Sequence, residues 1–255
     1  MKAVNRRNKI KELIDSTNKV QVSDLAESFN VSMETIRRDL DILSEEGTIE
    51  KIHGGAIKKV NSSTSEYYFK SRLNNNLEEK KLIAKIASQY IEDGDIIALD
   101  AGTTVLQLID YIYDKNISIV TSSLPVLNAL CKYDISHLRG QIIFLGGEFN
   151  ENSLSIYGEL STAMLKNINI SKAFISCDGF NVNSGIFNHN MREGLLTKEI
   201  IKNANTSYLL LESSKLHINS FYKTCSTSDV DIIISSEKEP DDFKKIAPNS
   251  KWIHT

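Results

Sequence analysis

Residues 20–57 read VQVSDLAESFNVSMETIRRDLDILSEEGTIEKIHGGAI. Two runs with helical apolar spacing, 22–29 and 32–43, flank a tight turn at Asn30-Val31, and a Gly54-Gly55 pair separates two β-branched stretches. That is the outline of a winged helix-turn-helix. Ser32 suits an N-cap, and Val31 and Ile36 hold the two positions of a hydrophobic staple that fixes the entry angle of the second helix. Ile36, Leu40 and Leu43 fall on one stripe. At about 100° per residue, Glu34, Arg38 and Asp41 then lie opposite the core, with Thr35 and Arg37 on the flanks. Arginine grips either a guanine edge or a phosphate, so Ser32, Glu34, Thr35, Arg37 and Arg38 are candidate DNA contacts. Lys51, His53 and Gly54 join them from the wing. Two outward arginines on an isolated helix are ordinarily a solvated face; the cap, turn and wing around them point to DNA.

A first helix over 6–16 offers Ile10, Leu13 and Ile14 to the same core, and 22–29 offers Leu25, Ala26 and Phe29. Gly47 is placed to end the recognition helix, with wing strands at 48–52 and 56–60. Charge sets a further condition. The chain of 255 residues carries a net −3, and its first 60 residues hold eleven Lys and Arg against ten Asp and Glu, a net of +1. Arg6, Arg7, Lys9, Lys11, Arg37, Arg38, Lys51, Lys58 and Lys59 must therefore supply the phosphate neutralisation. One head alone should bind weakly, and two heads on a palindrome imply a homo-oligomer, dimer or tetramer.

A hydrophobic content of 41% and a charged content of 25% are those of a globular protein, at a length suited to one small and one medium domain. Apolar runs are strand-sized, and the N-terminus lacks a signal-peptide core, so we expect a cytoplasmic protein with no membrane partner. Cys131, Cys177 and Cys225 are odd in number and widely spaced. They read as buried reduced thiols, with no metal site and no cofactor implied.

The expected organisation is a head over 1–58, a linker over 59–76 and a second domain over 77–255. In the linker, polar runs at 61–65 and 74–76 surround Tyr67, Tyr68 and Phe69, which either pack on the second domain or form a subunit contact. From Leu77 onward helical patterns alternate with β-branched runs at 96–99, 117–120, 142–145, 173–176, 208–211 and 232–234, with one more strand at 251–254. This predicts an α/β C-terminal domain with a largely parallel sheet, preceded by the small winged helix-turn-helix domain. Small and polar residues collect just after the strands, where parallel sheets bind ligands. Asp100, Gly102, Thr103 and Thr104 follow the first, Ser122 and Ser123 the second, Gly146 the third, Asp178 and Gly179 the fourth, and Lys215 the fifth. Lys198, on an intervening helix, completes the candidate set. A glycine-hydroxyl loop entering a helix, with a lysine as countercharge, suits a phosphate group.

These residues also carry a resemblance. The Thr-Ile-Arg-Arg-Asp-Leu run at 35–40, followed by His-Gly-Gly-Ala at 53–56, resembles the N-terminal domain of the DeoR family of bacterial sugar-metabolism repressors, and the similarity continues through the second domain. The resemblance implies operator DNA as one partner. It also implies a sensor fold related to ribose-5-phosphate isomerase and the CoA transferases, with a phosphorylated sugar as effector, gripped by 100–104 and Lys215. The family commonly has Asp where this chain has Glu212.

Because the resemblance implies a fold shared with an isomerase, the alternatives are a sugar-phosphate isomerase and a ligand-independent DNA-binding protein. Proton transfer beside a carbonyl needs a carboxylate base with placed acid partners. The isomerases carry Asp-Gly-Ala-Asp, whereas this chain has Asp178-Gly179-Phe180-Asn181, without the second carboxylate. Glu193 and Glu199 on the next helix are expected to face solvent. The sequence therefore favours a regulator over an enzyme.

Overall fold

The computed structural model describes residues 3–17, 19–45, 48–52, 54–58, 65–133 and 140–255. The chain divides into two compact units, 1–64 and 65–255.

The first unit contains α1 (Ala3–Thr17), β1 (Lys19–Gln21), α2 (Val22–Phe29), α3 (Met33–Glu45), β2 (Ile49–Ile52) and β3 (Gly55–Lys58). Asn30 ends α2 in the left-handed region at φ 51°, a conformation asparagine tolerates better than most residues. Ser32 then caps α3, its Oγ accepting the Thr35 N–H at 3.2 Å. Ile36, Leu40 and Leu43 are buried with Ile10, Ile14, Leu25, Ala26 and Ile49, and Val31 and Phe29 pack against them. Leu13 is a correction: it lies on the outer side of α1, 38% exposed. The strand β1 was not expected. It pairs antiparallel with β3, so the wing is a sheet of order β1-β3-β2. Gly55 is required by that pairing, since a Cβ there would stand 2.1 Å from the Val20 carbonyl oxygen. Gly47 and His53, with Lys59 and Val60, lie outside the described residues.

The second unit begins inside the stretch read as a linker, with α4 (Ser65–Asn74), followed by α5 (Leu77–Ser88), β4 (Ile96–Leu99), α6 (Thr103–Leu106), α7 (Ile109–Ile112), β5 (Ser118–Thr121), α8 (Leu124–Leu130) and β6 (Ile142–Phe144). A hairpin of β7 (Glu148–Asn150) and β8 (Ser155–Tyr157) leads to α9 (Glu159–Leu165), β9 (Ile170–Ile175), β10 (Gly179–Asn181), β11 (Gly185–Asn188) and α10 (Met191–Asn203). Then come β12 (Ala204–Leu211), β13 (Tyr222–Cys225), β14 (Ile232–Ser235), α11 (Phe243–Ile246) and β15 (Lys251–His254). Phe69 of α4 is buried within this unit. Among the described residues, no helix is long and apolar enough to cross a membrane.

Seven of these strands form one parallel sheet, in the order β15-β14-β12-β9-β4-β5-β6. Both faces are covered, and alternate residues serve each. Ile97, Leu99, Phe174, Tyr208 and Leu210 pack with α5, α7 and α8, while Ala98, Ala173, Ile175, Leu209 and Leu211 pack with α9 and α10. The order reverses between β4 and β9, which creates a switch point where loops from neighbouring strands diverge and leave a crevice. Of the three cysteines, Cys177 and Cys225 are buried as expected; Cys131, at the C-cap of α8, is exposed instead.

Candidate functional site

On the head, the outer face of α3 carries Arg37 and Arg38, with side chains 59% and 77% exposed. Glu34 lies 3.6 Å from Arg37 and 3.7 Å from Arg38, so both guanidinium groups are held loosely over the first turn of the helix. The Ser32 and Thr35 hydroxyls are 2.9 Å apart and bonded to each other. Three further basic residues assigned to phosphate, Arg6, Arg7 and Lys51, are engaged within the head. Arg6 is buried and pairs with buried Asp39 of α3 at 2.5 Å, with Arg7 3.6 Å away on the same carboxylate. Lys51 of β2 pairs with Asp41, fixing the wing against the recognition helix. Gly54 is exposed at the wing turn with φ +81°.

In the second unit a cavity of about 230 Å³ opens at the switch point. Loops after β4, β9 and β12 line it, together with the turn joining α4 to α5. Gly102, Thr103, Thr104, Asp178 and Lys215 are in its walls. Gly102 permits this, because a Cβ there would stand 1.9 Å from Ser176 Oγ. The helix that the loop enters, α6, is a single turn. Its contribution is therefore local N–H groups and hydroxyls rather than a macrodipole.

The cavity also contains residues that the sequence reading did not select: Arg72, Asn75 and Asn76 from the supposed linker, Lys80 from α5, and Ser176, Asn188 and Glu212. Lys80 is 1% exposed. Its Nζ donates to the carbonyl oxygens of Arg72 and Asn75, the latter at 2.6 Å, and lies 3.5 Å from Glu212 Oε2. Burial pulls its pKa below the ordinary lysine value, against the raising effect of Glu212. Glu212 Oε1 lies 3.7 Å from Lys215, so one carboxylate supports both lysines. Glu79, beside Lys80, accepts the Ser213 N–H and Ser213 Oγ, which positions the Ser213–Lys215 turn. On the opposite wall Arg72 lies 3.9 Å from Asp178, whose other oxygen accepts the His189 N–H at 2.8 Å.

Several candidates stand elsewhere. Asp100 is 5% exposed and turned inward: its carboxylate accepts from Thr197 Oγ1 at 3.1 Å and from the backbone N–H groups of Ala101 and Ser176. Burial raises its pKa to about 6, and nearby Glu193 adds to the rise. Ser122 and Asp100 line a small adjoining recess rather than the main cavity. Ser123 Oγ accepts the Val126 N–H as the cap of α8. Gly146 lies under α9, its carbonyl accepting from Ser161 Oγ at 2.6 Å. Gly179 is packed against the Ile218 backbone. Lys198 is exposed on α10, outside the cavity walls. Glu193, expected in solvent, instead lines the cavity while its Oε1 accepts from Asn150 and Ser155 on the β7–β8 hairpin. Asn181 Oδ1 accepts the Asn183 and Ser184 N–H groups and closes a turn. Cys177 lines the cavity, but burial pushes its thiol up, so it is not a ready nucleophile.

A head that presents arginines from a capped helix, joined to a separate α/β domain with a charged cavity at its switch point, defines a two-part transcriptional regulator with DNA-reading and sensing halves. The family described as the DeoR-like helix-turn-helix domain matches residues 6–64, and that described as the DeoR C terminal sensor domain matches 75–237. The chain belongs to the DeoR family of DNA-binding transcriptional regulators. It is 33% identical to the lactose phosphotransferase system repressor of Staphylococcus epidermidis, over 96% of this chain and 97% of that one. It is also 33% identical to the transcriptional regulator IolR of Bacillus subtilis, over 93% of each. Among solved structures, ribose 5-phosphate isomerase A of Methanocaldococcus jannaschii matches with a TM-score of 0.40 and 18% identity, covering 56% of this chain and 55% of that one. The named relatives are regulators, and this chain is a regulator rather than an enzyme.

Proposed function

We propose that this regulator is a repressor of carbohydrate-utilisation genes, acting in the cytoplasm as a homo-oligomer on a palindromic operator and responding to a phosphorylated sugar in the switch-point cavity. The observation that carries the reading is the convergence of Arg72, Lys80 and Lys215 on one cavity beside the Gly102–Thr104 loop. Cations with oriented N–H and hydroxyl donors favour a phosphate dianion, and each charge-assisted contact is stronger than a neutral hydrogen bond. Asp178 and Glu212 hold the cations in place before the ligand arrives, and carboxylates accept from sugar hydroxyls. The repressor and regulator names of the relatives support the same direction. On the head, Thr35, Arg37 and Arg38 meet the major groove, while Gly54 and the wing follow the backbone.

The test is thermal unfolding of the full chain with a panel of sugar phosphates and the corresponding free sugars. A phosphorylated ligand at about 100 times its Kd should stabilise the protein by about 2.7 kcal/mol, and the unphosphorylated sugar should not. Equal stabilisation by free sugars would reject the phosphate site.

A further inference from the structure

Adjoining the main cavity is a recess of about 10 Å³, bordered by Asp100, Ser122 and Thr197, with Ala101, Asn188 and Glu193 shared between the two. Ser122 is 1% exposed, and its Oγ has no hydrogen-bond partner among the described residues. Its two neighbours differ in this respect. Thr121 Oγ1 donates to the Leu99 carbonyl at 2.8 Å, and Ser123 Oγ caps α8. Buried polar groups are nearly always paired, so a hydroxyl left unpaired beside the main cavity marks a place for a water molecule or a ligand hydroxyl. Glu193 takes its bonds from Asn150, Ser153 and Ser155 all on Oε1, and a carboxylate keeps further acceptor capacity on Oε2. The recess has about the volume of one water-sized group, which excludes a phosphate or a carbon chain from it.

We propose that this recess is a hydroxyl subsite: with the phosphate among Arg72, Lys80 and Lys215, one hydroxyl of the ligand's carbon chain passes Ala101 and bonds Ser122 and Glu193. The inference rests on the reading of the main cavity as a phosphate site. It narrows the ligand to a polyhydroxylated phosphate monoester and places discrimination between a hydroxylated carbon and its deoxy counterpart at Ser122. A hydroxyl suits both partners, since it donates to a carboxylate and exchanges a bond with a serine in either direction.

The experiment is calorimetric titration of the full chain, wild type and Ser122→Ala. The probes are inorganic phosphate, glycerol 3-phosphate, ribose 5-phosphate, 2-deoxyribose 5-phosphate and the hexose 6-phosphates, and thermal unfolding of both free proteins runs alongside. In the wild type at least one sugar phosphate should bind ten times more tightly than inorganic phosphate. Ser122→Ala should shrink that advantage about tenfold without lowering the melting temperature of the free protein. The inference is overturned if the variant keeps the full advantage, if no sugar phosphate surpasses inorganic phosphate, or if the variant melts earlier and so reveals a structural hydroxyl. If neither inorganic phosphate nor any sugar phosphate binds the wild type, the phosphate-site reading itself falls, and the subsite with it.

Discussion

Arg38 leaves most of its side chain in solvent and meets Glu34 across one helical turn, an arrangement that costs little to exchange for a base or a phosphate. Arg38→Ala should weaken operator binding and leave folding intact. If it reads a guanine, discrimination at that base falls by about 1–3 kcal/mol; if it grips a phosphate, all sequences weaken alike and the salt slope drops by about 1. Unchanged binding across a salt series would remove Arg38 from the interface. Asp100 makes the opposite case, a residue whose type suggested ligand contact and whose geometry points inward. Its pKa is raised from 3.8 to about 6, so between those values the folded protein keeps a proton that the unfolded chain has released. Stability from this group is therefore present at low pH and lost as pH rises through about 6, a change of about 3 kcal/mol. Asp100→Asn should remove that loss, and denaturant unfolding from pH 4 to 7 should show the two profiles converging at the acid end. Parallel profiles would place the carboxylate in a more polar setting. Sequence alone suggested a loop carboxylate near a phosphate; it gave no sign that Thr197, 97 positions away, would hold it facing inward.

At the scale of elements, legibility followed burial. The inner strands of the parallel sheet are buried on both faces and read as short continuous apolar runs, and all seven strands lie at or within four residues of the positions expected. The β7–β8 hairpin and the antiparallel group β10-β11-β13 are strands of three or four residues, too short for an alternation to register. Helix α4 was hidden by polar composition, and with it Arg72, Asn75 and Asn76 were missed. Lys80 looked like an ordinary surface lysine until α5 packed beside β12 and the α4–α5 turn supplied carbonyl partners. In the head, the stripe of α3 was visible, but the ion pair tying it to α1 joins residues 33 apart. Removing one partner of a buried pair leaves the other charge uncompensated. Arg6→Met should therefore destabilise the head by about 3 kcal/mol, less if Arg7 moves onto Asp39, with the salt slope of DNA binding unchanged. A slope reduced by about 1 with full stability would instead restore Arg6 to the phosphate contacts.

At the scale of the whole molecule, the two units divide the work. The head carries a net charge near zero and concentrates its exposed arginines on one helix face, while the second unit assembles its cavity from loops separated by more than a hundred residues. The first helix of that second unit, α4, brings Arg72 into the cavity. A ligand changes DNA binding only through a difference in its affinity for the DNA-competent and DNA-incompetent arrangements, and the coupling is reciprocal. The most direct measurement is operator occupancy against concentration of the best-binding sugar phosphate, for wild type and Lys215→Ala. The variant should match the wild type without ligand and need about ten- to a hundredfold more ligand for the same change in occupancy, as expected for one lost charge-assisted contact. Superimposable curves, or operator binding lost before any ligand is added, would contradict a phosphate-sensing cavity at the switch point.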